Sequence, residues 1–477
     1  MTRDERPERY EYAIIGQGTA AFAAAIKADE LGRSTVMIGK NETTGAVLGG
    51  TCVNVGCVPS KRLITVGNLL DKYNAKKFDG LYYSSRIESF NKIMQDKEHL
   101  VGRMRFSKYQ KVIGKLKNVR YIDGFARFKD KNTVVVDGKE IKAKKILIAT
   151  GARASVPEVK GIDKIAYLTN EEALSLKKLP KSMIVVGGRA LGLEFAEMFA
   201  HFGVKVTLLQ RSSRILPNWE PEVSYYLERY MKEEGIDIIT DANIDSVSKG
   251  RSLVNVSISV KGKEKRISAE KILFATGRKP NIERLDLDKA GVKLDDKGFI
   301  DIDEYMETST DGIYAAGDVT GEPMLEALAA AEGNRATVNA LVGGKERIDI
   351  DSVPAAVFTF PEAARVGLTD EEANRSGIRC ACNTVMFKDL AKAGIINDTR
   401  GLIKMVINRK TRTILGVEIV GENAADLIHE AALAVKFKLT IDDIIDTVHV
   451  FPTLSEITKL AALSFYHNVE DLSCCSE

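Results

Sequence analysis

Short apolar runs, each followed by a glycine-containing turn, punctuate the chain. The first is Tyr12-Ala13-Ile14-Ile15, a run without polar alternation that reads as a strand covered on both faces. It leads into Gly16-Gln17-Gly18-Thr19-Ala20-Ala21 and an Ala-rich helical stretch reaching about Leu31. Helical periodicity with many charges occupies roughly Ile87 to Leu116, and Tyr121 to Lys142 alternates like a small antiparallel sheet. Ile146-Leu147-Ile148-Ala149-Thr150-Gly151 then reads as a strand ending in a small-residue turn. The pattern returns: Met183-Ile184-Val185-Val186 precedes Gly187-Gly188-Arg189-Ala190-Leu191-Gly192, and Ile272-Leu273-Phe274-Ala275-Thr276-Gly277 answers the first Ala-Thr-Gly. Past Tyr314-Ala315-Ala316-Gly317-Asp318 and an Ala-rich helix near Leu325 to Leu341, the texture changes. From about Asp351, strands such as Leu402 to Ile407 and Thr413 to Val420 surround a helix over Ala424 to Lys438.

This order predicts the α/β class: two Rossmann-like dinucleotide-binding domains plus a C-terminal α+β domain. The expected segments are 1–160 and 286–348 for the first nucleotide domain, 161–285 for the second, and 349–477 for the C-terminal domain. A length of 477 residues exceeds what one hydrophobic core supports. With 44% hydrophobic and 28% charged residues the composition is that of an ordinary globular protein. Sixty-nine basic against 66 acidic residues leave +3, with no block of like charge, so no nucleic-acid partner is expected. The longest apolar runs fall far short of the ~20 residues that cross a bilayer, so no membrane partner is expected either. Met1 to Tyr10 is charged and runs straight into the first strand, without the apolar region of an export signal, which points to the cytoplasm. The six cysteines come in pairs, Cys52 and Cys57, Cys380 and Cys382, Cys474 and Cys475. In a reducing compartment such pairs point to chemistry rather than stapling.

The turn with Gly16, Gly18 and Ala21 lets backbone approach a pyrophosphate, whose charge sits on the amides and dipole of the following helix. The second copy, with Gly187, Gly188 and Gly192, carries Arg189 at the middle glycine position. After Val206-Thr207-Leu208-Leu209, Gln210-Arg211-Ser212 stands where an acid would bind a ribose 2′-hydroxyl. The Arg211 guanidinium suits a 2′-phosphate, so NADPH is expected over NADH. Cys52 and Cys57 lack the further cysteine of an iron–sulfur run, because Ser60 stands there, and a redox pair fits better. Lying just before a helix expected near Pro59, these sulfurs would feel amide dipoles that favour thiolate. His99, His201, His429 and His467 show no ligand spacing, and Trp219 with 14 tyrosines shows no stacking array for nucleic acid.

The string Gly49-Gly50-Thr51-Cys52-Val53-Asn54-Val55-Gly56-Cys57-Val58-Pro59-Ser60-Lys61 resembles the active site of the flavin-dependent pyridine nucleotide-disulfide oxidoreductases. The likeness runs through both Ala-Thr-Gly turns, Gly317-Asp318, and Phe358-Thr359-Phe360-Pro361-Glu362 at the opening of the C-terminal domain. It implies FAD in the first domain, NADPH in the second and dimerisation through the third. It further implies that Cys57 lies against the flavin and Cys52 is the outward-facing interchange thiol. Lys61, paired with Glu194, would sit near the reactive flavin nitrogen. Asp318 would bind the ribityl chain, with Thr51, Ala152 and main chain near Glu326 completing the pocket. The acid that usually ends the second strand of the FAD unit is Gly39 here, with Glu42 as its expected substitute.

Disulfide reductases of this group carry a His-x-His-Pro motif whose second histidine protonates a departing thiolate. Here the run is His449-Val450-Phe451-Pro452-Thr453-Leu454-Ser455-Glu456, so Phe451 occupies the proton-donor position. Ordinary disulfide reduction suffers without that imidazole. The vicinal pair Cys474 and Cys475 suits transient capture of a soft metal. Phe451, this pair and Tyr109 together resemble the mercuric reductases. That resemblance implies a homodimer in which Cys474 and Cys475 of one subunit receive Hg(II) from thiol complexes and pass it to Cys52 and Cys57 of the other. Tyr109 would assist at the inner site. A second family tyrosine is replaced by Thr453, and the family's separate N-terminal metal-trapping domain is expected to be absent. The alternatives are a thioredoxin-reductase-like disulfide reductase and a non-catalytic FAD-binding metal-sequestering or redox-sensing protein. Cys380 and Cys382, on one face of a strand-like stretch, are expected to be structural thiols.

Overall fold

The computed structural model describes residues 8–40, 48–74, 78–82 and 84–472. Two compact units result, the first from Met1–Ser60, Met94–Ser155 and Gly277–Ile348, the second from Lys61–Ile93, Val156–Thr276 and Asp349–Glu477. No helix among the described residues is long and apolar enough to cross a membrane.

In the first unit, strand β1 (Glu8–Ile15) is followed by helix α1 (Thr19–Glu30) and strand β2 (Thr35–Gly39). β1 lies between β2 and the strand Lys139–Ile148, parallel to both. Tyr12, Ala13 and Ile14 have no exposure, which is why this strand is a continuous apolar run rather than an alternating one. The expected antiparallel sheet over Tyr121 to Lys142 is corrected in part. The strand Val119–Asp123 pairs in parallel with β2, whereas Ala126–Asp130, Thr133–Val136 and residues 139–142 form the antiparallel meander expected there. Alternation reports which face is buried, not the direction of the neighbouring strand. The alanine stripe of α1 packs on the helix Glu326–Val342 so closely that a Cβ at Gly333 would lie 2.1 Å from the Ala20 carbonyl oxygen.

The second unit holds a parallel sheet in the order Asp237–Ile239, Lys205–Leu209, Ser182–Val186, Lys271–Phe274, and a three-stranded antiparallel meander over 242–269. It also holds a five-stranded antiparallel sheet formed by Ala355–Val357, Glu362–Gly367, Ile414–Gly421, Gly401–Asn408 and Cys380–Met386. The core of that sheet gathers Phe387, Ile403, Met405, Ile419 and Ile457, all without exposure, beneath the helix Ala424–Phe437.

Candidate active site

Two helices carry the cysteine pair: α2 (Gly50–Val55) and α3 (Cys57–Asn74). Gly49, at φ 105°, turns the chain into α2, where a Cβ would strike the Val53 side chain at 2.3 Å and the Tyr109 ring at 3.1 Å. A Cβ on Gly50 would lie 2.6 Å from the Gly18 Cα, and Gly49 N–H donates to the Gln17 carbonyl at 3.0 Å. The sulfur-bearing helix is thus pressed directly onto the Gly16 to Gly18 turn. Between the helices, a Cβ on Gly56 would come within 2.9 Å of the Thr51 carbonyl oxygen, so glycine permits the chain to fold Cys57 back beside Cys52. Asn54 fixes α2, donating to the Leu48 and Gly50 carbonyls at 3.1 and 2.8 Å and accepting from Arg105 Nε at 2.8 Å.

The two cysteines are not bridged in this structure. Their sulfurs and a carboxylate oxygen of Glu326 all lie within 4.8 Å of one another. α3 begins at Cys57, two residues before the expected start, and Cys52 sits inside a six-residue helix rather than ahead of one. The expected thiolate bias is therefore corrected at Cys52. Its hydrogen bond with the Cys57 thiol, then burial, then the charge of Cys57 and the hydrogen bond and charge of Glu326 push its pKa up. Tyr109 stands in a π-helical turn, Phe106–Gln110, that extends the helix Phe90–Arg105. Its ring meets Phe22 edge-on at 4.9 Å, and burial followed by the Glu326 charge pushes its hydroxyl up to about 12.

The first unit also has the features of a dinucleotide cradle. A Cβ on Gly16, at φ 149°, would sit 2.2 Å from the Ala149 carbonyl oxygen. The N-terminus of α1 has no side-chain cap and no acid in its first turn, leaving its amides to an anion. Thr150 Oγ1, in the adjoining turn, is buried without a hydrogen-bond partner. Arg278 links two expected pocket residues, donating to the Ala152 carbonyl and placing Nε 3.5 Å from Asp318 Oδ2. Burial pushes the Asp318 carboxyl up despite that guanidinium. These residues fit FAD. Gly39 has no room for the usual acid: a Cβ there would lie 2.8 Å from the Gln17 Cβ, and its carbonyl accepts from the Tyr121 hydroxyl at 2.8 Å. Glu42 lies outside the described residues.

In the second unit, a Cβ on Gly192 would lie 1.7 Å from the Gly187 carbonyl oxygen, so glycine is required for the helix Ala190–His201 to meet its turn. Arg189 caps this helix in an extended conformation, again with no side-chain cap and no acid in the first turn, which fits a pyrophosphate. Gln210, in the usual acid's place, turns inward and accepts from Gly188 N–H at 2.9 Å, leaving Arg211 exposed as the group able to meet a 2′-phosphate. Lys61 Nζ binds Glu194 Oε2 at 2.7 Å and lies 4.6 Å from the centre of the Phe358 ring, and the backbone N–H of Phe358 donates to Glu194 Oε1 at 3.1 Å. Phe451 is half exposed. His449 is engaged elsewhere, with Nε2 2.8 Å from Glu430 and Nδ1 2.9 Å from the Thr447 carbonyl. Cys380 donates to Asp370 Oδ1 at 2.9 Å, and burial first, then that carboxylate, push it up to about 11, the behaviour of an inert thiol. Cys474 and Cys475 lie outside the described residues.

The family profile described as pyridine nucleotide-disulphide oxidoreductase matches residues 10–333, and that of its dimerisation domain matches residues 353–462. The chain belongs to this family. Members and their mercuric reductase branch use FAD and NADPH. Among relatives of the chain are the mercuric reductase of Lysinibacillus sphaericus, 40% identical over 98% of this chain and 85% of its own, and that of Streptomyces lividans, 36% identical over 98% of both. Among solved structures, the Cu(II) complex of the HOCl-induced flavoprotein disulfide reductase RclA from Escherichia coli superposes with a TM-score of 0.85. It is 28% identical and covers 96% of this chain and all of its own. For this family, the sequence pattern placed only main chain near Glu326, and the structure adds its carboxylate at the sulfurs. Asn54, Arg105 and Arg278 were likewise missed. Asn54 alone had a local signal, an amide set between the two cysteines.

Proposed function

We propose that the chain is a mercuric reductase, reducing Hg(II) to Hg(0) with NADPH through FAD and the Cys52/Cys57 pair. The observation that carries this reading is the match to mercuric reductases over 98% of the chain, redox helices included. Bound FAD supplies two-electron transfer from NADPH to the Cys52–Cys57 disulfide, and the balance is NADPH plus Hg(II) to NADP+, a proton and Hg(0). The two reduced sulfurs, held side by side by Gly56, offer the soft donors that Hg(II) prefers. Binding the ion displaces the thiol protons, and the Glu326 carboxylate within 4.8 Å is placed to receive the one held on Cys52. Tyr109 closes the wall of the site at Gly49. Release of Hg(0) requires no proton, so Phe451 in place of a proton donor costs this reaction nothing, whereas it handicaps a departing thiolate.

The working form is a homodimer in which Cys474 and Cys475 of one subunit pass Hg(II), taken from cellular thiol complexes in the cytoplasm, to the sulfurs of the other. Val448, Val450 and Phe451, 88%, 76% and 50% exposed, form an apolar edge suited to a subunit interface. The test is anaerobic NADPH oxidation by the FAD-loaded enzyme. Consumption that depends on Hg(II) and releases volatile mercury supports the proposal. Brisk turnover of thioredoxin or lipoyl disulfides with none of Hg(II) refutes it in favour of a disulfide reductase, and no turnover of either favours the non-catalytic reading. Replacing Cys474 and Cys475 with alanine is expected to slow reduction of thiol-complexed Hg(II) more than of weakly ligated Hg(II) salts. Equal rates on every complex refute tail delivery.

A further inference from the structure

Within the second unit, three ligating groups from three helices converge. Asp71 comes from α3, His201 ends the helix Ala190–His201, and Glu234 follows the helix Pro221–Glu233. One donor atom of each lies within 4.8 Å of the others. The His201 and Glu234 side chains are 2% and 10% exposed. Sequence spacing gave His201 no partner, because its neighbours here are 130 and 33 positions away, counted as 201 minus 71 and 234 minus 201.

Two independent observations point to a ligand. First, His201 Nδ1 lies 3.1 Å from Asn68 Oδ1, while Nε2 lies 3.1 Å from Glu234 Oε2. With the Asn68 amide oxygen turned to Nδ1 as the donor position, the Nε2 position facing the Glu234 carboxylate is filled either by a proton or by a cation. Donation of the far ring nitrogen to a carbonyl is also how metal-binding histidines are oriented. Second, Glu197, one helical turn before His201, is 1% exposed, faces Glu234, and has one carboxylate oxygen with no hydrogen-bond partner. Its other oxygen accepts from Phe360 N–H at 2.7 Å. The guanidinium of Arg400 reaches Glu234 at 2.9 Å but is already shared with Asp398 at 3.0 Å.

We propose that Asp71, His201 and Glu234 bind a divalent cation of borderline hardness, of the Zn(II) class, with Asn68 orienting the imidazole. Bonds of about 2.0–2.1 Å from a tetrahedral centre put donor atoms about 3.3 Å apart, close to the observed 3.1 Å between His201 Nε2 and Glu234 Oε2. Nitrogen and oxygen donors distinguish this site from the sulfur pair that takes Hg(II). The ion would clamp the three helices together.

The test uses oxidised, FAD-loaded enzyme with free thiols alkylated, so that the cysteines cannot compete. After chelator treatment and equilibrium dialysis against Zn(II), wild type is expected to hold one Zn(II) per chain, with an X-ray absorption shell of nitrogen and oxygen at about 2.0 Å and no sulfur at about 2.3 Å. Asp71→Ala is expected to lose the ion, and Asn68→Ala to weaken it by about 10–100-fold. Both substitutions fall at partly exposed positions, so the comparison leaves the buried His201 in place. Retention of no Zn(II) by wild type shows that a proton fills the gap and overturns the proposal. A sulfur shell, or equal Zn(II) in wild type and Asp71→Ala, overturns it as well. None of these readings depends on reduction of Hg(II), so the two proposals stand or fall separately.

Discussion

Glu326→Gln removes a negative charge that stands within 4.8 Å of both redox sulfurs while keeping the side chain's size. Coulomb's law at that separation gives about 3.5 kcal/mol at an effective dielectric of 20 and about 0.9 kcal/mol in water, or roughly 2.5 and 0.6 pKa units. Glu326 is exposed, which places the effect toward the lower figure. The carboxylate is one of the groups holding the Cys52 pKa up, so its loss favours thiolate and lowers the first apparent pKa of the coupled pair. The assay is the pH dependence of iodoacetamide alkylation in the two-electron-reduced enzyme. Below the inflection the variant is expected to react faster than wild type, and above it the two rates should converge. An unchanged profile, or one displaced to higher pH, refutes the argument that this carboxylate acts on the thiols.

Gly16→Ala brings a Cβ within 2.2 Å of the Ala149 carbonyl oxygen at a left-handed φ, and the purified variant is expected to lack visible flavin absorbance. Glu194→Gln discharges the buried partner of Lys61. Because Lys61 is 31% exposed, the expected loss is about 1–3 kcal/mol, read as a lowered unfolding temperature. Phe387→Ala empties a site with no exposure against Gly401 and Gly421, with an expected cost of about 3–5 kcal/mol in urea unfolding. An unchanged unfolding midpoint would show that the cavity collapses without penalty.

Long buried features were legible in the chain because packing on both sides leaves a continuous apolar run. Tyr12 to Ile15 and Met183 to Val186 are of this kind. The strand Val119–Asp123 was misread because its alternation is equally compatible with a parallel partner. The cysteine pair was found from spacing, yet its chemistry was not, since burial and the approach of Glu326 depend on contacts between residues 274 positions apart, 326 minus 52. The absent ribose acids were seen as gaps. Only the structure shows Gln17 and Gln210 occupying that space. His201 escaped for the same reason as Glu326, because its companions arrive from distant helices.

The close backbone approach of Gly50 to Gly18 joins two tasks in one joint. A mutation that enlarges Gly50 would disturb nucleotide grip and sulfur placement together. The cysteine segment therefore cannot be transplanted alone into another scaffold: its host must also supply a glycine loop that yields at the same spot.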